Sequence, residues 1–203
     1  MTGNFYRKPT SVLARALLGK ILIYQKGRQF LAARIVETEA YLFQNDPACH
    51  ARGGRTRRNA PMFGPPGRTY VYLIYGMHYC LNVVSGGEGV GEAVLIRALE
   101  PVAGLDIMRR RRAARLPEQL CSGPGKLTAA FGLNKKHNNL DLTAGPLYVY
   151  SQKDFRIKFG IDTPKIKHLE IVAASRIGIT QGQELPLRFY IKDNPCVSFH
   201  VKH

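Results

Sequence analysis

The chain has 203 residues, 45% of them hydrophobic and 22% charged, which is enough for one well-buried core and short of what two would need. Thirty Lys and Arg against fourteen Asp and Glu give a formal charge of +16, an excess that points to a polyanionic partner, nucleic acid ahead of an anionic membrane surface. No apolar run reaches membrane-spanning length, no repeat or low-complexity tract is present, and the polar start followed by Pro9 predicts no signal peptide.

In chain order, "PTSVLARALLGK" predicts a helix over Ser11–Leu18, with Thr10 or Ser11 as cap, one apolar face and Gly19 as stop. "ILIYQKGRQFLAARIVETEAYL" predicts two strands joined at Lys26-Gly27. Residues 43–68 form a long Gly-, Pro- and Arg-rich loop, and a loop of that length in a compact domain is functional or disordered. Its "GPPG" is a turn, without the pattern of a phosphate loop. "TYVYLIYG" and "MHYCLNVV" form a hairpin with its tip at Gly76, and "EAVLIRAL" a strand ended by Pro101. "PVAGLDIMRRRRAARL" predicts a basic helix, "CSGPGKLTAAFGL" another, and "PLYVYSQ", "HLEIVAAS" and "PLRFYIK" short strands. Strands and helices mix without βαβ alternation. The expectation is therefore α+β: a single domain over 1–203, with a curved, largely antiparallel sheet flanked by helices and a protruding hairpin.

Cys49, Cys80, Cys121 and Cys196 are scattered, with no CxxC pair and no histidine at zinc-ligand spacing beyond the adjacent Cys49-His50. Four reduced thiols in an intracellular protein are expected, and no metal.

Three stretches carry chemistry. In "RIVETEAYL" the strand period puts Glu37, Glu39 and Tyr41 on one face, and Val36, Thr38 and Ala40 on the other. Two carboxylates on a mostly apolar strand are costly to bury alone. Either that face is wet or paired with Arg34 or Arg97, or one glutamate is a general base in a cleft; taken alone, the stretch favours the first. Tyr70 and Tyr72 share a face of the hairpin and Tyr75 sits at its tip. Each ring alone is a good strand former, but with the chain's charge the set suits base stacking and a wedge between base pairs. Asn82 and Arg97 interrupt apolar runs and need partners: backbone for the first, an acid or a phosphate for the second. His50 is either a solvated loop residue or a donor in a site.

Taken together, "RIVETEAYL", "H-x-R-G-G-R", "YVYLIYGMHYCLN", "VLIRALEP", "LCSGPGKL" and "PLRFY" resemble the alkyladenine (3-methyladenine) DNA glycosylase family, of the mixed α/β kind. The likeness runs from "ARALLGKILI" to "RFYIKDNPCVS", essentially the whole chain. It implies an enzyme that flips a damaged purine (3-methyladenine, hypoxanthine or ethenoadenine class) out of double-stranded DNA and hydrolyses its N-glycosidic bond. Glu39 would be the general base and Arg97 its partner in holding the water, with the Ile177 carbonyl as a third contact. Tyr41, His50 and Tyr72 would sandwich the base, and Asn82 would exclude the exocyclic amine of guanine. Tyr75 would fill the vacated space; Met62 and Lys126 would contact the DNA backbone. Two departures stand out: His78 where a second tyrosine is common, and the details of "LFQNDPACH".

The chemistry is that of glycoside hydrolysis, with oxocarbenium character stabilised by a carboxylate that also takes a proton from water. A cationic alkylpurine leaves without a strong acid, and tyrosine faces would attract it by about 0.5–2 kcal/mol per contact. A neutral lesion needs help, for which His50 is the candidate. No amine nucleophile appears in this scheme, so a monofunctional, cofactor-free enzyme is expected. It is expected to act as a monomer, associated with DNA inside the cell (in the nucleoid of a bacterium), with no membrane partner. Two rivals remain at this point. A non-enzymatic basic nucleic-acid binder leaves Glu39 unexplained. A carbohydrate hydrolase using the Glu37/Glu39 pair has no use for the charge and lacks tryptophan platforms.

Overall fold

The computed structural model describes residues 1–164 and 169–198. It is an α+β single domain built on one curved antiparallel sheet, ordered β3-β4-β5-β2-β1-β6, with β8 also paired to β2 and β7 to β8. The strands are β1 (Ile21–Lys26), β2 (Gln29–Tyr41), β3 (Thr69–Ile74), β4 (His78–Ser85), β5 (Glu92–Ala103), β6 (Leu147–Tyr150), β7 (Ile171–Ala174) and β8 (Arg188–Ile191). The helices are α1 (Gly3–Tyr6), α2 (Thr10–Leu17), α3 (Leu105–Arg111), α4 (Pro124–Phe131) and α5 (Gln152–Phe159).

The long strand β2 organises the sheet. Along one edge it pairs with β5; along the other, residues 29–34 pair with β1 and residues 37–39 with β8. Register shifts on either side of Glu37 mark the fork where β2 leaves β1 for β8. Irregular pairing of this kind re-aims side chains, and here it brings Glu37 and Glu39 between the arginines of two neighbouring strands. The predicted alternation holds. Val36 and Ala40 join the main core with Leu13 and Leu17 of α2 and Leu127 and Phe131 of α4, while the Thr38 hydroxyl donates to the Ala14 carbonyl at 2.9 Å. Glu37 and Glu39 therefore face away from α2.

A second small core underlies the loop 43–68. Met62, from the 3₁₀ turn Ala60–Phe63, packs with Cys49, Ala51, Tyr70, Val84 and Ala93, and Tyr41, Phe43, Phe63 and Tyr72 close over them. The loop is thus a built wall. Gly91 makes the close approach possible: it has φ +80°, and a Cβ there would fall 2.8 Å from the Phe63 ring and 2.9 Å from Ala51.

Several expectations are corrected. Thr10 begins α2 and does not cap it; its hydroxyl is spent on Ser85 (2.8 Å) and on Glu92. β5 continues through Pro101 to Ala103, because pairing with β4 ends at Leu95 and the missing proline N–H falls where that edge is open. The basic helix shrinks to Leu105–Arg111: the strand claims residues 101–103, Gly104 turns left-handed, and Arg112 is extended. Helices α1 and α5 are additions; α5 is capped by the Ser151 hydroxyl, and its Phe155 covers Ile21, Ile23 and Ala32. Of the strand expected from "HLEIVAAS", residues 171–174 form, and His168 lies outside the described residues.

Candidate active site

The centre of the site is a buried lattice of four charges. Glu39 and Glu37 are both fully buried, and Arg97 of β5 reaches both, through Nη1 to Glu39 Oε1 (3.2 Å) and through Nε to Glu37 (3.4 Å). Arg188 of β8 closes on Glu37 at 2.8 Å, and the Ser198 amide donates to its other oxygen, also at 2.8 Å. Glu37 thus bridges both arginines, and neither Arg188 nor Ser198 lines the pocket that opens above the lattice. Arg34, one of the two cations expected beside the glutamates, instead pairs with Glu100 at 2.7 Å.

Glu39 has a different set of partners. Its Oε1 accepts from Arg97 and from the Ile177 amide (2.9 Å), and its Oε2 accepts from the Tyr41 hydroxyl (2.9 Å). Burial raises its pKa above the ordinary carboxylate value. Arg97, the Ile177 N–H and the Tyr41 hydroxyl pull it back, and the neighbouring Glu37 pushes it up again. Burial, with Glu39 beside it, also holds the Tyr41 phenol far above its usual value, so this group stays a donor. The Ile177 carbonyl accepts from Arg97 at 3.3 Å, so the Ser175–Ile177 segment touches the carboxylate and its arginine together.

Above this lattice opens a pocket of about 280 Å³. Tyr41, His50, Met62, Tyr70, Tyr72, Tyr75, Asn82, Arg97 and Ile177 line it, with Pro124 and Gly125 from the start of α4. The His50 and Tyr72 rings meet edge to face at 4.7 Å, and His50 Nδ1 lies 3.2 Å from the Tyr70 hydroxyl. Burial among these rings, and then the charge of Arg58, lower the His50 pKa, so its ring is neutral at physiological pH. Asn82 donates to the Tyr70 carbonyl at 3.0 Å, the backbone satisfaction expected of it, and still faces the cavity. Two guanidinium groups stand over pocket rings, Arg176 at 4.7 Å from the Tyr41 centroid and Arg58 at 5.3 Å from that of Tyr72.

The hairpin β3–β4 extends from the pocket rim. Tyr75 is 79% exposed in the left-handed region (φ 52°), followed by Gly76 at φ 69°. Lys126 is exposed in the first turn of α4, near Ser122, whereas the Met62 side chain is buried in the pocket wall and its amide is donated to the Asn59 carbonyl. Arg109 and Arg110 are exposed on α3; Arg111 is held by the Ala130 carbonyl and Gln29.

Arg97, Met62, Tyr75 and the anticipated base-pocket residues therefore line one cavity; Glu39 and Lys126 stand outside its lining, Glu39 joined to it through its bonds to Tyr41, Arg97 and Ile177. Sequence reasoning missed Arg188, the third arm of the lattice, and the pair Asp46–Arg176 behind Tyr41. Arg188 carried a detectable signal, a cation inside "PLRFYIK" with the same need for an acid as Arg97. Tyr70 is almost fully buried in the second core, and it also lines the pocket and bonds His50. Among the described residues no cluster of His, Cys, Asp or Glu is arranged to hold a metal, and no helix is long and apolar enough to cross a membrane.

A model of the methylpurine-DNA glycosylase family matches residues 4–195. Among curated proteins the chain is 49% identical over 194 residues to one from Methanoculleus marisnigri, covering 96% of both chains. It is 46% identical to one from Carboxydothermus hydrogenoformans, again over 96% of both, and 48% identical to one from Methanocella arvoryzae, over 96% of this chain and 94% of that one. All three carry the name "Putative 3-methyladenine DNA glycosylase".

Proposed function

The chain belongs to the methylpurine-DNA glycosylase family and is a DNA glycosylase, a hydrolase of N-glycosidic bonds; we propose that it flips alkylated or deaminated purines from duplex DNA and releases them with a water activated by Glu39. The observation that carries this reading is the position of Glu39. A buried carboxylate with a raised pKa lies beneath an aromatic pocket, held by Tyr41, Arg97 and the Ile177 amide, all three of them residues of the pocket lining.

In this reading the extruded purine stacks between Tyr41, Tyr72 and the His50 ring, with Asn82 opposing the exocyclic amine of guanine. Arg97 and the Ile177 carbonyl position the water, and Glu39 accepts its proton as C1′ gains positive charge. Neutral His50 supplies a ring donor or acceptor to lesions that are not cationic. Tyr75 fills the gap left in the stack, offsetting part of the few kcal/mol that flipping costs. Lys126 meets the phosphates, and Met62 supports the backbone contact from the pocket wall. Among the described residues no lysine lines the pocket, in keeping with monofunctional action, and the enzyme is taken to work as a monomer.

The carbohydrate-hydrolase alternative lacks support in the geometry: Glu37, its second carboxylate, is already held by Arg188, Arg97 and the Ser198 amide. The test is release of 3-methyladenine, hypoxanthine and ethenoadenine from defined duplexes, parent against Glu39→Gln. Loss of release with lesion binding retained supports the mechanism; persistent release by the variant rejects it. A borohydride-trapped protein–DNA adduct rejects the monofunctional reading.

A further inference from the structure

We infer that the buried ion pair Asp46–Arg176 is a positioning joint that couples the base-stacking wall to the water-activating carboxylate. The inference rests on the reading of Glu39 above.

Both side chains are fully buried, and they meet in a two-pronged contact, Nη1 to Oδ2 and Nη2 to Oδ1, each at 2.6 Å. Each partner is tied further into a different piece of the site. Asp46 accepts from the Leu42 and Ala48 amides at 3.0 and 3.1 Å, fixing the chain between Tyr41 and His50. Arg176 donates to the Ala40 carbonyl at 3.0 Å and the Gly182 carbonyl at 3.4 Å, tying β2 to the segment 175–183. Its guanidinium lies over the Tyr41 ring, and the next residue in the chain, Ile177, donates its amide to Glu39. One side chain thus supports the ring on which a base would stack and the backbone that holds the catalytic carboxylate.

The cost of this arrangement argues that it is more than packing. A buried ion pair returns little net stability compared with well-packed apolar residues, and the Arg176 Nε–H finds no partner among the described residues. Burial opposes the charge of Arg176, but the Asp46 hydrogen bonds and charge more than restore it, so the guanidinium stays charged. What the pair supplies is geometry: the planar fork of Arg fits a carboxylate in one orientation only, which fixes where Ile177 starts.

The groups that act on Glu39 are Arg97 from β5, Cys80 from β4, Glu37 and Tyr41 from β2, and Arg176 with the Ile177 amide from the segment 175–183. Arg176→Lys keeps the charge and removes the fork. If the pair positions Ile177, Glu39 loses its best-placed amide donor and its pKa rises further. The acid limb of the single-turnover rate then moves to higher pH. The expected result is a base-release rate down by about tenfold or more with lesion-duplex affinity changed less than about threefold, and the limb displaced upward. A merely structural role lowers the melting temperature and leaves the limb in place; that result, or an equal loss of rate and affinity, overturns the inference. Asp46→Asn, judged by the same criteria, replaces Arg176→Lys if the latter does not fold. A parent protein that releases no base from any lesion duplex rejects the glycosylase mechanism itself, whereas a parent that releases base with an unaltered Arg176→Lys rejects only this joint.

Discussion

At the scale of single residues, Glu39 shows what a functional carboxylate costs a fold. Folding raises its pKa above 4.5, so its favourable contribution is complete below the unfolded value and is lost as pH rises through the folded one. The ionised form that the proposed mechanism requires is the form the fold tolerates less well. Glu39→Gln is therefore predicted to melt no lower than the parent at pH 7.5, while releasing no base. Its advantage in melting temperature should grow as pH rises from 4 to 8, as measured by thermal unfolding across that range. For the parent, kcat/KM should rise along an acid limb lying above the ordinary carboxylate range, and Tyr41→Phe, which removes a donor to Glu39, should move that limb higher still. A limb at or below pH 4.5 rules out Glu39 as the base. Arg97 keeps Glu37 and the Ile177 carbonyl in the Gln variant, so no unpaired cation is left behind.

At the scale of elements, periodicity made β2 legible: alternation alone put Glu37, Glu39 and Tyr41 together, and the structure keeps them so. What it did not disclose was the fork in β2, because nothing in "RIVETEAYL" shows which strand will pair beside Glu37. The arginine that answers Glu37 lies 151 residues away, in β8. Helix α5 went unread for a related reason: its eight residues carry a weak apolar pattern, and burial of Phe155 on the far side of the sheet decides the matter. The loop 43–68 was legible from its length as either functional or disordered but not as a wall with a core of its own, since that depends on Gly91 admitting Phe63. Gly91→Ala should cost on the order of 1–3 kcal/mol, from the left-handed backbone and the clash together, and should weaken lesion binding as the wall shifts. Chemical denaturation with a parallel binding titration checks both effects. In the hairpin, Tyr75→Ser should reduce flipping, followed by the fluorescence of an etheno base, more than it reduces affinity for undamaged duplex.

At the scale of the whole molecule, the charge is more lopsided outside than the count suggests. Glu37, Glu39 and Asp46 are turned inward, paired with the equally buried Arg97, Arg188 and Arg176, so the cations that remain outnumber the remaining acids by a larger ratio than the whole-chain count gives. Arg52, Arg55, Arg57 and Arg58 are exposed on the loop beside the pocket, and Lys126 on α4. Affinity for undamaged duplex should fall steeply with salt. Lys126→Ala should lower the slope of log K against log salt by about 1 without altering which lesions are released. An unchanged slope removes Lys126 from the DNA contact. Composition announced this partner from the outset; it could not say which cations are spent inside, because pairing across strands is a property of the fold.

The hairpin tip has a consequence for the protein when no DNA is present. Tyr75, Met77 and Leu73 are 79%, 71% and 43% exposed, and together they give the free protein a sticky point in water. Long-range repulsion between molecules carrying +16 keeps such points apart, and added salt weakens that repulsion. Concentrated stocks should therefore self-associate as salt is raised, and less so for Tyr75→Ser, a difference that light scattering reads directly. The feature proposed to enter a duplex would then also set the limit on how crowded a solution of the protein can become.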